Sequence, residues 1–381
     1  MIKSAYIHIP FCHHICHYCD FNKVFLQGQP VDDYLEALEQ EIAMTLNNCR
    51  TEHLETIFVG GGTPTALNEK QLDRLCRIIR NNLPTGEQLE FTFEANSGDL
   101  SVEKLQILKD AGVNRISLGA QTFNDELLKK IGRAHCANDI IHSIAAIKKI
   151  GFKNISIDLI FSLPGQTIVD FKETLQEAFS LEIPHYSGYS LIIEPKTVFY
   201  NLMQRGKLLT PGEDVEAEMY ELLMEEMELH GYRQYEISNF SKQGFESRHN
   251  LTYWNNEEYF GFGAGAHSYV DGFRRSNVGP LKKYMEMIKK GDFPVLEENK
   301  VSKAEQMEEE MFLGLRKKEG VSIPKFFHKF GLDPISLFQN EITSSVQKGW
   351  LETNSKNIYL TKRGRLLGNE VFQSFLGICN D

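Results

Sequence analysis

The chain has 381 residues, 41% hydrophobic and 24% charged, with a formal net charge of −11. That size and balance exclude a disordered chain and allow one large barrel plus a small second domain, or two ordinary domains. The acidic excess repels phosphate backbones, so nucleic acid is not expected as a partner, and the lack of an apolar signal core or long apolar run makes a cytoplasmic location the expectation.

From the N-terminus, short apolar runs alternate with amphipathic stretches. Strands are predicted over 5–9, 56–59, 90–93, 115–118, 154–160 and 186–193. Helices are predicted between them over 31–47, 68–80, 101–109, 138–150 and 167–179. In the first, Leu35, Leu38, Ile42 and Leu46 recur at helical spacing, and Ser101 followed by Glu103 and Lys104 reads as a helix start. Strand–helix alternation implies right-handed crossovers and a parallel sheet. Six such units predict an α/β fold, a partial (β/α)6 TIM-type barrel, although a doubly wound open sheet shares the local pattern. Gly60-Gly61-Gly62-Thr63, Glu94 and Gln121 fall just after the carboxyl ends of successive strands, the rim where such sheets place ligands, and this favours the barrel. Gly261-Phe262-Gly263-Ala264-Gly265-Ala266 fits a loose dinucleotide fingerprint but opens no strand–turn–helix unit, so it reads as a loop.

From about Ser302 the texture changes. Helices are predicted over 303–316, 324–330 and near 333–348, followed by a hairpin of 350–353 and 358–360 around Asn354-Ser355-Lys356-Asn357. This reads as a small, mainly helical, winged-helix-like C-terminal domain that either covers the barrel rim or recruits a partner. Its basic Lys362, Arg363 and Arg365 read as a solvated face. The expected division is a core barrel over 1–270, a connecting segment over 271–301 and the C-terminal domain over 302–381.

Of seven cysteines, Cys49, Cys76, Cys136 and Cys379 are scattered and read as small buried apolar residues. Cys12, Cys16 and Cys19 lie within eight residues, in Pro10-Phe11-Cys12-His13-His14-Ile15-Cys16-His17-Tyr18-Cys19-Asp20-Phe21. Thiolates at this spacing suit an iron–sulfur cluster, in which three thiolates for four irons leave one iron open to an exchangeable molecule. Zinc held with His13, His14 or His17, and a chance grouping of buried thiols, stay open on spacing alone.

With the elements above, in this order, the first ~270 residues resemble the radical-SAM superfamily. The resemblance implies a [4Fe–4S] cluster on Cys12, Cys16 and Cys19, with S-adenosylmethionine (SAM) on the fourth iron as the source of a 5′-deoxyadenosyl radical. It implies a SAM site lined by the Gly61, Gly62 and Thr63 backbone and by Glu94, Gln121, Arg133 and Asp158. Tyr6 would point towards the cluster, and Tyr18 and Phe21 would shield it or stack on adenine. The donor types suit SAM: an acid for its ammonium, an arginine for its carboxylate, acid or amide groups for its ribose hydroxyls.

Tyr6-Ile7-His8-Ile9-Pro10-Phe11-Cys12 is similar to the oxygen-independent coproporphyrinogen III dehydrogenase (oxidase) group of porphyrin biosynthesis, whose enzymes decarboxylate two propionate side chains of a tetrapyrrole. Two departures point away from that enzymatic activity. Phe21 stands where those enzymes carry a further cysteine, and the first strand begins almost at Met1, where they carry an extension. His249-Asn250-Leu251-Thr252-Tyr253-Trp254 instead resembles the signature of the HemW-type heme chaperones within this group. A neutral imidazole is a standard axial ligand of heme iron. A histidine beside aromatics reads by itself as a satisfied polar residue, and the resemblance makes His249 the candidate heme ligand. The implied function is to bind heme and hand it to acceptor proteins such as respiratory cytochromes. The alternatives are the dehydrogenase and a zinc-held interaction module; oligomeric state and peripheral membrane contact stay open at this level.

Overall fold

Side chains along a strand alternate between two faces, and here the two faces differ sharply in chemistry. In β1 (Ser4–Ile9), Ala5, Ile7 and Ile9 are fully buried in the main apolar core, while Ser4, Tyr6 and His8 face the other way. The same division runs through β2 (Leu54–Gly61), β3 (Thr85–Asn96), β4 (Arg115–Gln121), β5 (Asn154–Phe161) and β6 (His185–Ser190). The outer face, with Ile57, Val59, Phe93, Ile116, Leu118, Ile155 and Ile157, packs under helices. The inner face carries Thr56, Glu90, Glu94, Ser117, Asp158 and His185 beside the rings of Tyr6 and Phe58, so the bore of the sheet is lined largely by polar groups.

The computed structural model describes residues 2–379. β1 to β6 pair in chain order and in parallel. Phe260–Phe262 adds a parallel strand beside β1, and Asn239–Ser241 and Arg233–Gln234 add antiparallel strands beyond β6. The edges are different strands, so the barrel is partial. The connecting helices are α1 (Val31–Asn48), α2 (Glu69–Asn82), α3 (Val102–Asp110), α4 (Ala137–Ile150) and α5 (Ile168–Ser180). Ser101 caps α3 by accepting from the Lys104 N–H at 3.1 Å, as its sequence suggests. Leu35, Leu38 and Ile42 line the buried stripe of α1. Each fully buried aliphatic side chain of this layer stabilises the barrel by roughly 1.5–3 kcal/mol.

The short helix Arg248–Trp254 plugs the end of the bore where the strands begin. Glu90 of β3 accepts the backbone N–H groups of Arg248 and His249, both at 3.0 Å, which places a carboxylate against the helix start. Thr252 bonds Ser4 (2.8 Å) and His249 Nδ1 bonds Thr56 (2.9 Å), so the plug is stitched to β1 and β2.

Residues 267–300, most of them in the stretch read above as a connection, form an antiparallel sheet of His267–Val270, Phe273–Asn277 and Val295–Lys300 with the helix Leu281–Lys289. The C-terminal part has its own apolar core of Met307, Phe326, Phe338, Ile358, Phe372 and others. The helix predicted near 333–348 is two helices, Pro334–Leu337 and Gln339–Gln347. The break falls at Phe338 (φ −109°, ψ 35°), whose ring turns into that core against Phe326 and Phe375. The domain sits at the plugged end, not over the rim: Arg316 stacks on Trp254 (4.6 Å), Lys317 Nζ donates to Asn255 Oδ1 (2.7 Å) and Arg365 donates to Gln234 (2.6 Å). No helix among the described residues is long and apolar enough to cross a membrane.

Candidate functional site

At the carboxyl rim, a loop from Cys12 to Lys23 leaves β1 and returns. A short parallel pair, Phe11–Cys12 with Val24–Phe25, holds its two ends together, with Leu26 N–H donating to Cys12 O at 2.9 Å. Its middle is tied by His17, whose N–H donates to Ile131 O (3.0 Å) and whose Nδ1 meets Lys130 O (2.9 Å). All seven cysteines are free thiols. Burial pushes the Cys12 thiol up to about 11, and burial also raises that of Cys19. Among the described residues no group of three His, Cys, Asp or Glu side chains is arranged to hold a single metal ion.

A chain of hydrogen bonds runs behind the thiols. Cys12 Sγ meets Thr63 Oγ1 at 3.7 Å; Asn96 Nδ2 donates to Thr63 Oγ1 at 2.7 Å. Arg133 donates through Nη1 to Asn96 Oδ1 (2.7 Å) and through Nη2 to Tyr18 Oη (2.8 Å). One arc thus links the first thiol, the glycine turn, the end of β3, the loop after β4 and the aromatic residue between the second and third thiols. Arg133 Nε and Thr65 Oγ1 are buried without a partner among the described residues. Donors left unmet in this way are costly unless a guest completes them.

The glycine turn is tight. Gly61 has φ +112° and its N–H donates to Glu94 Oε2 at 3.0 Å. A Cβ on Gly62 would lie 2.8 Å from Phe11 O, so only glycine lets this backbone pass beneath the thiol loop. Burial, and then the nearby Asp158 charge, push the Glu94 carboxyl up to about 7. Asp158 itself accepts from Ser117 Oγ (3.3 Å), and burial raises it too. Gln121 ends β4 at φ +70°, where the pairing with β5 slips, and its amide turns back beside Gly119 and Arg133.

Tyr6 lies in the bore. Its hydroxyl bonds His8 Nδ1 (2.9 Å), and His8 Nε2 bonds Asn22 O (2.7 Å), so Tyr6 meets the thiol loop through His8. Phe21 is 63% exposed and turned to solvent. His249 is not at the rim. It is only 1% exposed, stacks on Phe58 and has both ring nitrogens engaged, Nδ1 with Thr56 and Nε2 with the Tyr253 hydroxyl at 2.8 Å. Burial pushes its pKa down to about 3, so the ring is neutral. Phe58 stacks in turn on Tyr6. The structure therefore gathers Cys12, Gly61, Gly62, Thr63, Glu94, Arg133 and Tyr18 at the rim, with Asp158 and Gln121 beside them, and sets His249 at the opposite end of the bore. Sequence reasoning missed Asn96, Asn22 and His8. Asn96 sits two residues after Glu94, on the same strand face, a period-2 signal that could have found it.

Models of two families match the chain: the radical SAM superfamily over residues 6–178 and the HemN C-terminal domain over residues 301–367. A heme chaperone HemW from Bacillus subtilis is 56% identical, covering 99% of this chain and 100% of that protein. One from Lactococcus lactis is 48% identical (98% and 97%), and one from Escherichia coli 32% (98% and 98%). Among solved structures, the coproporphyrinogen III oxidase HemN of Escherichia coli superposes with a TM-score of 0.87 over 99% of this chain and 91% of that one. At 23% identity that likeness shows the fold.

Proposed function

Since this chain belongs to the HemW-type heme chaperones of the radical-SAM superfamily, we propose that it binds heme, passes it to acceptor proteins such as respiratory cytochromes, and carries a SAM-ligated [4Fe–4S] cluster. The observation that carries the cluster reading is the arc Cys12–Thr63–Asn96–Arg133–Tyr18 with its unmet Arg133 Nε. Cys12, Cys16 and Cys19 would hold the cluster. Arg133 would receive the SAM carboxylate and Glu94 its ammonium, with Gln121, Asp158 and the Gly61–Gly62–Thr63 backbone lining the rest. When bound, the reduced cluster supplies one electron that can cleave a SAM C–S bond. The chain's own residues orient this assembly: Thr63 and Asn96 fix the first thiol against the glycine turn, and Arg133 fixes Tyr18.

Heme is the cargo. Its proposed ligand is His249, a neutral imidazole whose Nε2 is capped by Tyr253, so ligation requires that hydrogen bond to break and the plug helix to shift. Titrating heme into anaerobically purified wild type and His249→Ala, followed by the Soret band, tests the assignment. Weaker binding by the variant supports it; equal binding removes His249. Iron and sulfide analysis after anaerobic reconstitution, compared with alanine at all three thiol positions, tests the cluster.

A further inference from the structure

The Gly261–Ala266 run, a loose dinucleotide fingerprint read above as a loop, has a definite place in the fold: Gly261 and Phe262 complete the extra strand beside β1, and the turn follows them. Together with the loop before Leu281–Lys289 it forms a socket for one side chain of the thiol loop, that of Asn22. Asn22 Nδ2 donates to Ala264 O (2.8 Å) and to Gly279 O (3.1 Å), while Asn22 O accepts from His8 Nε2 (2.7 Å). The socket walls are glycines for a steric reason: a Cβ on Gly265 (φ +77°) would lie 2.7 Å from Asn22 Nδ2, and one on Gly279 would lie 3.1 Å from Asn22 Oδ1.

The socket is itself bolted from behind by α1. Tyr34 Oη accepts from Ala264 N–H (3.1 Å) and donates to His8 O (2.7 Å). Glu41 accepts from Gly263 N–H (2.7 Å), from Asn277 Nδ2 (2.6 Å) and from Tyr284 Oη (2.6 Å). Asn22 follows Cys19 by three residues, and Lys23 Nζ reaches back to Cys19 O. The thiol loop is thus fixed at both ends by strand pairing, in its middle by His17 and, between its last thiol and the returning strand, by Asn22.

We infer that Asn22 is a positioning residue for the iron–sulfur cluster: seated in the 264–279 socket, it sets the place of the Cys19 thiol. This rests on the cluster reading above. The test uses the full chain, reconstituted anaerobically with iron and sulfide, as wild type, Asn22→Ala, Gly279→Ala and the double variant. The readouts are iron and sulfide per chain, the rate of loss of cluster absorbance in air, and the change in the reduced cluster's electron paramagnetic resonance spectrum on adding SAM. A thermal melt by circular dichroism reports folding separately.

Asn22→Ala removes two neutral hydrogen bonds, and the expected result is about tenfold faster cluster loss with an altered SAM-induced spectrum. Gly279→Ala leaves the thiol loop's own sequence intact but crowds Asn22, and should act in the same direction. In the double variant the added methyl no longer meets an asparagine, so its effect should vanish, a non-additivity that simple destabilisation does not produce. Wild-type assembly with unchanged loss rates and spectra in both single variants, or additive effects in the double variant, overturns the role of Asn22 and leaves the cluster reading standing. Failure of the wild type to assemble a cluster overturns both.

Discussion

Glu41 gives the most quantitative prediction, because two opposed forces meet at one buried carboxyl. It receives three donated hydrogen bonds, which favour its charged form, yet burial outweighs them and raises its pKa to about 7. In the unfolded chain an ordinary glutamate titrates near 4.3–4.5. The folded state therefore holds this proton across a window in which the unfolded state has released it. Stability from this group is full below the unfolded pKa and falls as pH rises towards about 7. Between about pH 5.5 and about pH 8.5 the loss integrates to about 2 kcal/mol. Glu41→Gln mimics the neutral carboxyl at every pH, so the variant should gain about 2 kcal/mol relative to wild type over that interval. Glu94, also raised to about 7, titrates in both proteins and cancels in the comparison. Urea unfolding of the apo-protein by circular dichroism at the two pH values measures the difference. A gap between variant and wild type that does not change with pH would refute the reasoning: Glu41 would then be ionised throughout, its three donors outweighing its burial.

Other outcomes are expected at both ends of the bore. Tyr253→Phe deletes the hydroxyl that occupies His249 Nε2; if that nitrogen takes heme iron, heme affinity rises about fivefold, whereas unchanged affinity disconnects the bond from heme binding. Asn96→Ala breaks the arc between Thr63 and Arg133 and should weaken SAM binding about tenfold in anaerobic titration of the reconstituted protein; equal SAM affinity would count against it. Arg316→Ala uncovers the Trp254 ring and should weaken the seam to the C-terminal domain by about 1 kcal/mol, seen as earlier proteolytic release of that domain; an unchanged cleavage rate would show the seam is held by other contacts.

The outer half of the barrel was legible because its signals are local. Leu35, Leu38 and Ile42 announce α1, and the apolar runs mark five of the six strands to within a few residues. The extra strand Phe260–Phe262 was not, because three residues carry no periodicity and its partners in β1 lie 255 positions away in sequence. The thiols and the glycine turn stood out by composition. Asn22 and Asn96 did not, since an asparagine's role depends on which backbone and side-chain atoms the fold brings to it. His249 shows the opposite limit. Its motif is plain in the sequence, but burial against Phe58 and the capping of both nitrogens follow only from the plug helix entering the bore.

The alternation of β1 to β6 has a consequence for how such a protein can change. The letters that glue the barrel together, Ala5, Ile7, Ile9, Ile57 and Val59, interleave one by one with the letters that meet whatever enters it. Adhesion and chemistry share the same strands yet are spelled on opposite pleats. An inward substitution such as one at Ser117 rewrites the lining of the lumen while sparing the hydrocarbon seam behind it, so the scaffold can change its interior without first surrendering its cohesion.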